Sequence, residues 1–323
     1  MRTVIIGGTE FIGPHIVERL VKRGHDVAVL HRRDRHDLGP HVRNLQADRG
    51  DLGAIAQVLR QERPEVVFDL AYDWGKGTPA VDVVAAARNA GDRLTRYVFM
   101  SSIAAYGPGL NRRESDLLVS DDTPNPYAQH KASTERALFR LHETSGFPVT
   151  TFRPPFVHGP RQPFYREQFF WDRLLDGRPI ILPEDGESPM QWAFVEDLAE
   201  ACVRAIEVPE AAGQAFNMAH VEPTTQRGFI EALGRTVGME PKFVALPREK
   251  IHAAGGDIFK GNLYFGEYLD LPPHTEVVEK VVRLLGVMPT DLEIALARGF
   301  AWHRARPRRP ADYAFEDRLL AMA

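Results

Sequence analysis

Residues 3–13 have the sequence Thr-Val-Ile-Ile-Gly-Gly-Thr-Glu-Phe-Ile-Gly, and this stretch decides the fold. The apolar run at 3–6 predicts a buried strand, and the glycines that follow it predict a tight turn. Residues 14–23 then place their apolar side chains at helical spacing, and Gly24 stands where the helix should end. A strand, a glycine-rich turn and a helix in this order predict the first unit of an alternating α/β domain.

The same alternation continues through the first half of the chain. Further strands are predicted at 26–30, 42–46, 65–70, 97–101 and 148–153, with helices at 51–62, 79–90 and 127–144. Strands joined by helices through short links imply right-handed crossovers and a parallel sheet covered on both faces. The sequence therefore predicts an α/β fold of the Rossmann type, with a doubly wound parallel sheet.

The alternation stops near residue 157, where prolines and glycines begin to cluster. We place the dinucleotide-binding domain at residues 1–157 and a smaller α/β substrate domain at residues 158–323. Residues 192–208 are expected to pack back onto the first domain. A late helix is predicted at 291–304, with Thr290 as its N-cap.

Composition excludes several classes of protein. With 40 basic and 44 acidic residues the formal net charge is −4, so no strong field attracts nucleic acid or an acidic membrane. The single cysteine, Cys202, excludes an intrachain disulfide and a cysteine-based zinc site. No apolar run approaches the ~20 residues of a membrane span, and signal-peptide features are missing. The histidines show no metal-ligand spacing. We therefore expect a cytoplasmic protein without a metal, a membrane anchor or a nucleic-acid partner.

The glycine-rich turn is the candidate binding site for a dinucleotide cofactor. Glycines let the backbone approach a pyrophosphate, and the helix that follows offers unpaired N–H groups and a favourable dipole. The usual pattern is Gly-x-x-Gly-x-x-Gly, and Glu10 stands in place of its middle glycine. The position of the turn after the first strand is what favours a cofactor site.

The end of the second predicted strand bears on the choice between NAD and NADP. An acidic residue there favours NAD, whereas arginine favours the 2′-phosphate of NADP. Arg32 and Arg33 follow this strand and slightly favour NADP, although Glu10 could instead bond the ribose hydroxyls of NAD. Asp48, after the third strand, is a candidate partner for the adenine amino group.

Tyr127 and Lys131 are four residues apart, so they share one face of their predicted helix. A nearby ammonium and a nicotinamide cation would lower the phenol pKa from its ordinary value of about 10, which would make Tyr127 a general base. Ser101 and Ser102 end the fifth strand, where a hydroxyl can bond a substrate oxygen. The glycine turn, the serines and this helix should meet at one edge of the sheet.

Taken together, these motifs resemble the extended short-chain dehydrogenase/reductases of the NAD-dependent epimerase/dehydratase group. The resemblance covers most of the chain and is carried by Gly-Gly-Thr-x-Phe-Ile-Gly at 7–13, Ser-Ser-x-x-x-Tyr-Gly at 101–107, Tyr-x-x-x-Lys at 127–131, and the segments 153–160, 192–199 and 288–293. It implies Ser102, Tyr127 and Lys131 as the catalytic residues.

The remaining site assignments follow the same motifs. The cofactor site is assigned to Gly7, Thr9, Glu10, Phe11, Ile12, Gly13, His31, Arg32, Asp48, Arg49, Leu70, Ala71, Ser101, Tyr127, Lys131, Pro154 and Val157. Substrate contacts are assigned to Ser102, Ile103, Phe156, His158, Arg161 and Trp192. For Arg161 and Arg166, binding of a phosphate and pairing with a surface carboxylate both stay open. For Phe156 and Trp192 core packing is the alternative, and for His158 a loop histidine without a ligand is the favoured one.

Departures from the family pattern narrow the substrate. Sugar 4,6-dehydratases have an Asp-Glu pair where this chain has Ile103 and Ala104, which cannot transfer a proton. Many nucleotide-sugar epimerases have an asparagine at the position of Phe156 and an arginine near residue 190, where this chain has Met190 and Gln191. These differences argue against dehydration and leave room for a less charged substrate.

Three functions are compatible with these residues. The leading prediction is an NAD(P)-dependent epimerase of a sugar or nucleotide sugar that acts by transient oxidation of a secondary hydroxyl. The alternative is an NADPH-dependent ketone or aldehyde reductase that uses the same three residues. A non-catalytic cofactor-sensing or RNA-binding protein is disfavoured by the complete catalytic set and by the net charge of −4. In similar proteins the helices that match 79–90 and 127–144 pair across a dimer, so the resemblance implies a homodimer.

Overall fold

Strands and helices alternate through the first half of the chain. The computed structural model describes residues 1–259, 261–310 and 312–323. Its first elements are β1 (Arg2–Ile6), α1 (Ile12–Lys22), β2 (Asp26–His31), β3 (Val42–Gln46), α2 (Leu52–Glu62), β4 (Val66–Asp69), α3 (Ala80–Asn89), β5 (Arg96–Met100), β6 (Gly109–Arg112), α4 (Pro126–Ser145) and β7 (Val149–Arg153).

The second half contains shorter strands between helices. These elements are β8 (Phe156–His158), α5 (Glu167–Leu175), β9 (Ile180–Pro183), β10 (Pro189–Met190), β11 (Trp192–Phe194), α6 (Val195–Glu207), β12 (Gln214–Asn217), β13 (Thr224–Thr225), α7 (Gln226–Val237), β14 (Phe243–Leu246), α8 (Arg248–Ala253), β15 (His274–Glu276), α9 (Glu279–Leu285), α10 (Leu292–Arg304) and α11 (Ala314–Leu320).

A parallel sheet of seven strands forms the centre of the molecule, in the order β12-β7-β5-β4-β1-β2-β3. In its middle, Val4 of β1 lies opposite Ala28 of β2 and Val67 of β4. The strand order reverses direction at β1, as in doubly wound sheets that bind ligands at the carboxyl ends of their strands. The predicted fold class is therefore confirmed. The edge strand β12 comes from the second half of the chain, and the domain boundary at residue 157 stays a prediction.

Apolar side chains cover both faces of this sheet. On one face α1 and α6 pack against each other and against the strands, with Ile16 and Leu198 in the shared cluster. On the other face Ile55 of α2 joins a second cluster. A third cluster fills the second half of the chain around Trp171 and Trp192. Because both faces are covered, the carboxyl edge of the sheet is where loops from both halves of the chain meet.

The N-cap of α10 differs from the prediction. The cap is Asp291, whose side chain accepts hydrogen bonds from the backbone N–H groups of Glu293 and Ile294. Thr290 instead bonds the Asp197 carboxylate through both its backbone N–H and its hydroxyl, at 2.7 and 2.8 Å. Threonine and aspartate are both good N-caps. Thr290 does not cap the helix because it bonds Asp197, which lies 93 residues earlier in the sequence.

Alanine substitutions at Gly13 and Gly53 should have opposite effects on stability. A Cβ on Gly13 would lie 2.4 Å from the backbone carbonyl group of Gly8, and overpacking of this kind costs about 1–3 kcal/mol. Gly53 lies in α2, and a Cβ on it would have its nearest neighbour, the Asp51 Oδ1 atom, at 3.4 Å. Alanine there should therefore raise the free energy of unfolding by about 0.5–1 kcal/mol. Urea denaturation measures both changes in the free energy of unfolding, and an unaltered Gly13→Ala protein would contradict the close contact at the turn.

Candidate active site

The glycine turn brings three segments of backbone into close contact. Gly7 has φ +82°, and a Cβ on it would lie 2.9 Å from the Cβ atom of Ala71, which follows β4. Gly13, at the start of α1, touches the Gly8 backbone as described above. Phe11 adopts φ +45° directly before the helix, which is uncommon for a residue with a side chain. This cradle has no room for side chains and presents the N-terminus of α1, so it fits the pyrophosphate of a dinucleotide.

Charged side chains border the turn. The exposed Glu10 carboxylate forms an ion pair with the exposed Arg33 guanidinium. Arg32 is also exposed, and its charge helps to lower the pKa of Asp73 in the loop after β4, where bonds from the Lys76 and Gly75 N–H groups have the larger effect. The predicted cofactor contact of the His31 side chain is corrected. Its ring is buried, and its Nε2 atom lies 2.6 Å from the Asn44 side-chain oxygen.

Arg49 is held by a carboxylate at the end of β4. Its Nη2 atom lies 2.9 Å from the Asp69 Oδ2 atom, and the Tyr97 hydroxyl donates to the same oxygen at 2.7 Å. The cofactor contact of Arg49 stays a prediction. Asp48, its neighbour, is exposed and accepts a bond from the Gly50 N–H.

The three predicted catalytic residues converge at the carboxyl edge of the sheet. Asn125 caps α4 by accepting bonds from the N–H groups of Tyr127 and Ala128, which fixes the phenol in the first helical turn. One turn later the Lys131 Nζ atom lies 5.6 Å from the centroid of the Tyr127 ring and donates to the Met100 carbonyl at 2.7 Å. The Ser102 hydroxyl, at the end of β5, lies within hydrogen-bonding reach of the phenol.

Two opposing effects act on the Tyr127 phenol. Burial raises its pKa above the ordinary value, while the bond from Ser102 and the charge of Arg166 lower it. Arg166 thus brings to the phenol a positive charge that the sequence did not predict. Burial also lowers the pKa of Lys131 to about 8, an effect that the Asp69 carboxylate opposes.

Ser101 belongs to a buried polar cluster beneath the site. Its hydroxyl donates to the Glu135 carboxylate, which also binds Thr151 and forms an ion pair with Arg153 at 2.7 Å. All four side chains are buried. The predicted cofactor contact of the Ser101 side chain is corrected, because the hydroxyl is committed to Glu135.

An aromatic wall lies beside the Tyr127 phenol and is formed by Tyr72, Trp74, Phe156, Phe164 and Tyr268. Trp74 stacks on the Tyr127 ring at a centroid distance of 5.1 Å and is 60% exposed. Tyr72 meets the Tyr127 ring edge-on at 4.9 Å, and its hydroxyl lies 3.0 Å from the His130 Nδ1 atom. Sequence reasoning missed Trp74, although an aromatic residue just after the fourth strand was a usable signal.

Arg166 lies within this aromatic wall. Its guanidinium carbon is 4.7 Å from the Phe164 ring centroid and 5.5 Å from that of Phe156. Phe156 is half-buried, so part of its ring remains accessible. Sequence reasoning raised Arg166 as a phosphate contact or a surface ion pair but did not assign it to the site.

Two predicted substrate contacts lie in the core instead. The His158 ring is fully buried, and its Nε2 atom lies 2.7 Å from the Nε2 atom of His220. Burial lowers the pKa of His158 well below its ordinary value. Trp192 stacks on Phe229 at 4.0 Å and is 1% exposed. Both predictions are corrected, because neither side chain reaches the site.

Arg161 is exposed and lies beside the glycine turn instead of the aromatic wall. It borders a cavity of about 290 Å³ that is lined by Thr9, Glu10, Phe11, Pro163, Trp302 and Arg306. Arg161 was predicted as a substrate contact, and the structure places it next to the cofactor cradle.

The other predicted residues lie at the ends of strands and helices. Leu70 and Ala71 directly follow β4; the Leu70 N–H donates to the Ile6 carbonyl, and Ala71 lies against Gly7. Ile103 begins a short 3₁₀ helix after Ser102, and its N–H bonds the Pro154 carbonyl. The Val157 carbonyl accepts a bond from Gln162. Ile12 begins α1.

Neither a membrane span nor a metal cluster is found in the described ranges 1–259, 261–310 and 312–323. No helix there is both long enough and apolar enough to cross a membrane. No group of three or more His, Cys, Asp or Glu residues in those ranges could hold a metal ion.

Comparisons with known proteins agree with this architecture. The model of the NAD dependent epimerase/dehydratase family matches residues 3–219. A chloroplast stem-loop binding protein of 41 kDa from Arabidopsis thaliana is 27% identical and covers 99% of this chain and 84% of its own. The UDP-glucose 4-epimerase of Mycolicibacterium smegmatis is 30% identical, covering 75% of this chain and 85% of its own. The crystal structure of a UDP-glucuronic acid 4-epimerase from Bacillus cereus, in complex with UDP-glucuronic acid and NAD, superposes with a TM-score of 0.74 at 19% identity, covering 94% and 99% of the two chains.

Replacing Asp69 should make Lys131 lose its proton at lower pH. Lys131 is charged below its pKa of about 8 and neutral above it, and Asp69 favours the charged form against burial. Asp69→Asn should therefore move the midpoint of titration downward, although Glu135 still favours the ammonium and Arg49 opposes it. NMR titration of the seven lysine side chains, with Lys131→Met for assignment, measures the midpoint. Tyr97→Phe removes a bond to Asp69 but keeps the charge, so it should shift the midpoint less, and equal shifts would contradict the electrostatic explanation.

Proposed function

The chain belongs to the NAD dependent epimerase/dehydratase family, and on that basis we propose that it is an NAD(P)-dependent epimerase of a nucleotide sugar. The observation that carries the proposal is the convergence of Ser102, Tyr127 and Lys131 beside the glycine cradle. The similarity to a UDP-glucose 4-epimerase at 30% identity supports the same activity.

In this proposal Tyr127 takes the proton of a secondary hydroxyl while Ser102 holds the hydroxyl oxygen. An NAD(P) cofactor with its pyrophosphate in the cradle would supply a reversible hydride acceptor, and return of the hydride to the opposite face would invert the substrate carbon. Lys131, already fixed to the Met100 carbonyl, would bond the nicotinamide ribose and supply positive charge. Tyr127, which accepts the proton as a phenolate, then returns it to the same oxygen and ends the cycle as a phenolate.

A one-way ketone or aldehyde reductase is the second candidate, favoured by the aromatic wall. Phe156, Phe164 and Trp74 offer flat apolar faces where a sugar-binding site needs hydrogen-bonding groups for hydroxyls. Cofactor exchange separates the two reactions. An epimerase regenerates its cofactor in every cycle, whereas a reductase consumes NADPH in equal amount to its product.

Nucleic-acid binding has less support in this chain. The stem-loop binding relative suggests it, but the net charge of −4 provides no general attraction to phosphates. A filter-binding measurement with stem-loop RNA at physiological salt tests this function directly.

We propose a homodimer formed through α3 and α4, in which the exposed Val81 of α3 supplies apolar contact area. The two helices pack side by side in one chain, as such an interface requires. Light scattering at micromolar protein concentration distinguishes a dimer from a monomer. The cytoplasmic location stays a prediction.

Tyr127→Phe should reduce turnover by roughly 10²–10⁴-fold, because it removes the proton acceptor. Affinity for the cofactor should change little, since the cradle is untouched. Activity is measured by epimer formation from UDP-glucose or UDP-glucuronic acid, and affinity by calorimetry. Tyr72→Phe is the matched control, because it removes a neighbouring phenol that contacts the same ring and should leave most of the activity. A Tyr127→Phe enzyme with near-normal turnover would refute the assignment of the base.

For the cofactor, we propose a preference for NADP(H) that depends on Arg32. This guanidinium is exposed directly after β2, whereas Arg33 is paired with Glu10. Arg32→Ala should weaken NADP binding by roughly tenfold or more and NAD binding little, because a charged hydrogen bond to the 2′-phosphate is lost. Calorimetry with both nucleotides measures this, and Arg35→Ala is the control for a nearby exposed arginine. Tighter binding of NAD by the wild type would reject the preference.

A further inference from the structure

Arg166 is a charged side chain with incomplete bonding beside the catalytic phenol. It precedes α5 and is half-buried. Its Nε atom donates to the Glu267 carbonyl at 3.1 Å, and its Nη1 atom makes a longer contact of 3.5 Å with the Val157 carbonyl. The two carbonyls thus bind the Nε and Nη1 atoms. The Nη2 group, which we call the open edge of the guanidinium, has no protein acceptor in the described part of the chain.

Two buried arginines of the protein are paired with carboxylates. Arg153 pairs with Glu135, and Arg173 pairs with Glu316, each at 2.7 Å. A guanidinium taken out of water needs such partners, because its desolvation is otherwise uncompensated.

The nearest acidic side chains, those of Glu167 and Glu267, do not form an ion pair with Arg166. Glu167 is turned toward the other side, where it accepts bonds from the Gly159 N–H at 3.0 Å and from Gln162 at 3.3 Å. Glu267 meets Arg166 through its backbone carbonyl. Burial accordingly lowers the pKa of Arg166, and both carboxylates only partly offset this effect.

Aromatic rings surround the guanidinium and orient it. Its carbon lies 4.7, 5.5 and 5.9 Å from the ring centroids of Phe164, Phe156 and Tyr268. Tyr268 is held at φ +63°, a conformation that a tyrosine rarely adopts, by a bond from its N–H to the Ile258 carbonyl at 2.7 Å. Rings at these distances favour a cation electrostatically and shield it from water without neutralising it.

The same rings connect Arg166 to the catalytic residue. Phe164 and Tyr268 both contact Trp74, at centroid distances of 6.0 and 6.1 Å, and Trp74 stacks on Tyr127. The open edge of the guanidinium and the phenol therefore border the same aromatic wall.

We propose that Arg166 binds an acidic group of the substrate, a carboxylate or a phosphate, while the aromatic wall packs against the substrate's ring. The inference rests on the proposed function, since it concerns the substrate of that same site. It predicts an anionic substrate, although the absence of an arginine near residue 190 suggested a less charged one. A carboxylate or phosphate would accept bonds from the open edge of the guanidinium in the geometry that arginine favours.

The experiment measures equilibrium binding by calorimetry, using protein loaded with NAD(P). The probes are UDP-glucuronic acid, UDP-glucose and UMP. Arg166→Met removes the charge at similar length, and Arg166→Lys keeps the charge but loses the planar donors. Arg318→Met, at an exposed arginine of α11 outside the site, is the matched control. All measurements are repeated in the Tyr127→Phe background, where turnover cannot affect the binding heats.

If Arg166 binds a carboxylate, Arg166→Met should lower the affinity for UDP-glucuronic acid at least tenfold. The affinities for UDP-glucose and UMP should not change. If it binds a phosphate, the affinities for both UDP-sugars should fall alike, and the affinity for UMP should fall with them only where the α-phosphate is the partner. The affinities of Arg166→Lys should lie between those of the wild type and of Arg166→Met, and this variant keeps the test valid if the methionine variant does not fold. Unchanged affinities, an equal loss in Arg318→Met, or no binding of any probe to the wild type would overturn the proposal. A normal rate in Tyr127→Phe together with the Arg166 effect would instead reject the assigned base and leave the anion site intact.

Discussion

The arrangement of Ser102, Tyr127 and Lys131 depends on one buried carboxylate, that of Glu135. It lies one helical turn after Lys131 on α4 and binds Ser101 of the β5 end and Arg153 of β7. A buried ion pair adds little net stability, but removing one partner would leave a charge in the core at a cost of about 3–5 kcal/mol. The cluster therefore fixes how α4 sits on the sheet. Because Ser102 follows Ser101 and Tyr127 precedes Lys131 by one turn, this fixed position brings the serine and the phenol together.

The electrostatics of the site follow from that position. Lys131 lies at the end of the sheet, where its ammonium donates to the Met100 carbonyl. Burial there disfavours the charged form of Lys131, and the Asp69 carboxylate favours it. Asp69 is itself held by Arg49 and Tyr97. Tyr127 receives its positive neighbour from the other half of the chain, through Arg166. Lys131 and Arg166, one from each half of the chain, thus bring two positive charges close to Tyr127.

The sequence was sufficient for features that depend on local spacing. The strand at 3–6, its glycine turn and the four-residue step from Tyr127 to Lys131 each have one physical interpretation once their order in the chain is known. Side-chain direction was harder, because it depends on distant partners. The His158 ring turns toward His220, which is 62 residues away, and Ser101 turns toward Glu135, which is 34 residues away. No local pattern specifies either contact, so both residues were assigned to the site only because of their position in the chain.

Arg166 was unassigned for the same reason, and it shows why such residues matter. Local sequence supplies it with an acidic neighbour, Glu167, so a surface ion pair was a reasonable expectation. The fold instead turns Glu167 toward Gly159 and leaves the guanidinium among aromatic rings. Arg153 and Arg173 show that this protein can satisfy a buried guanidinium with a glutamate when only structure is required. In the part of the chain that the structure describes, the Arg166 Nη2 group has no such partner, so its donors remain available to a ligand beside Tyr127.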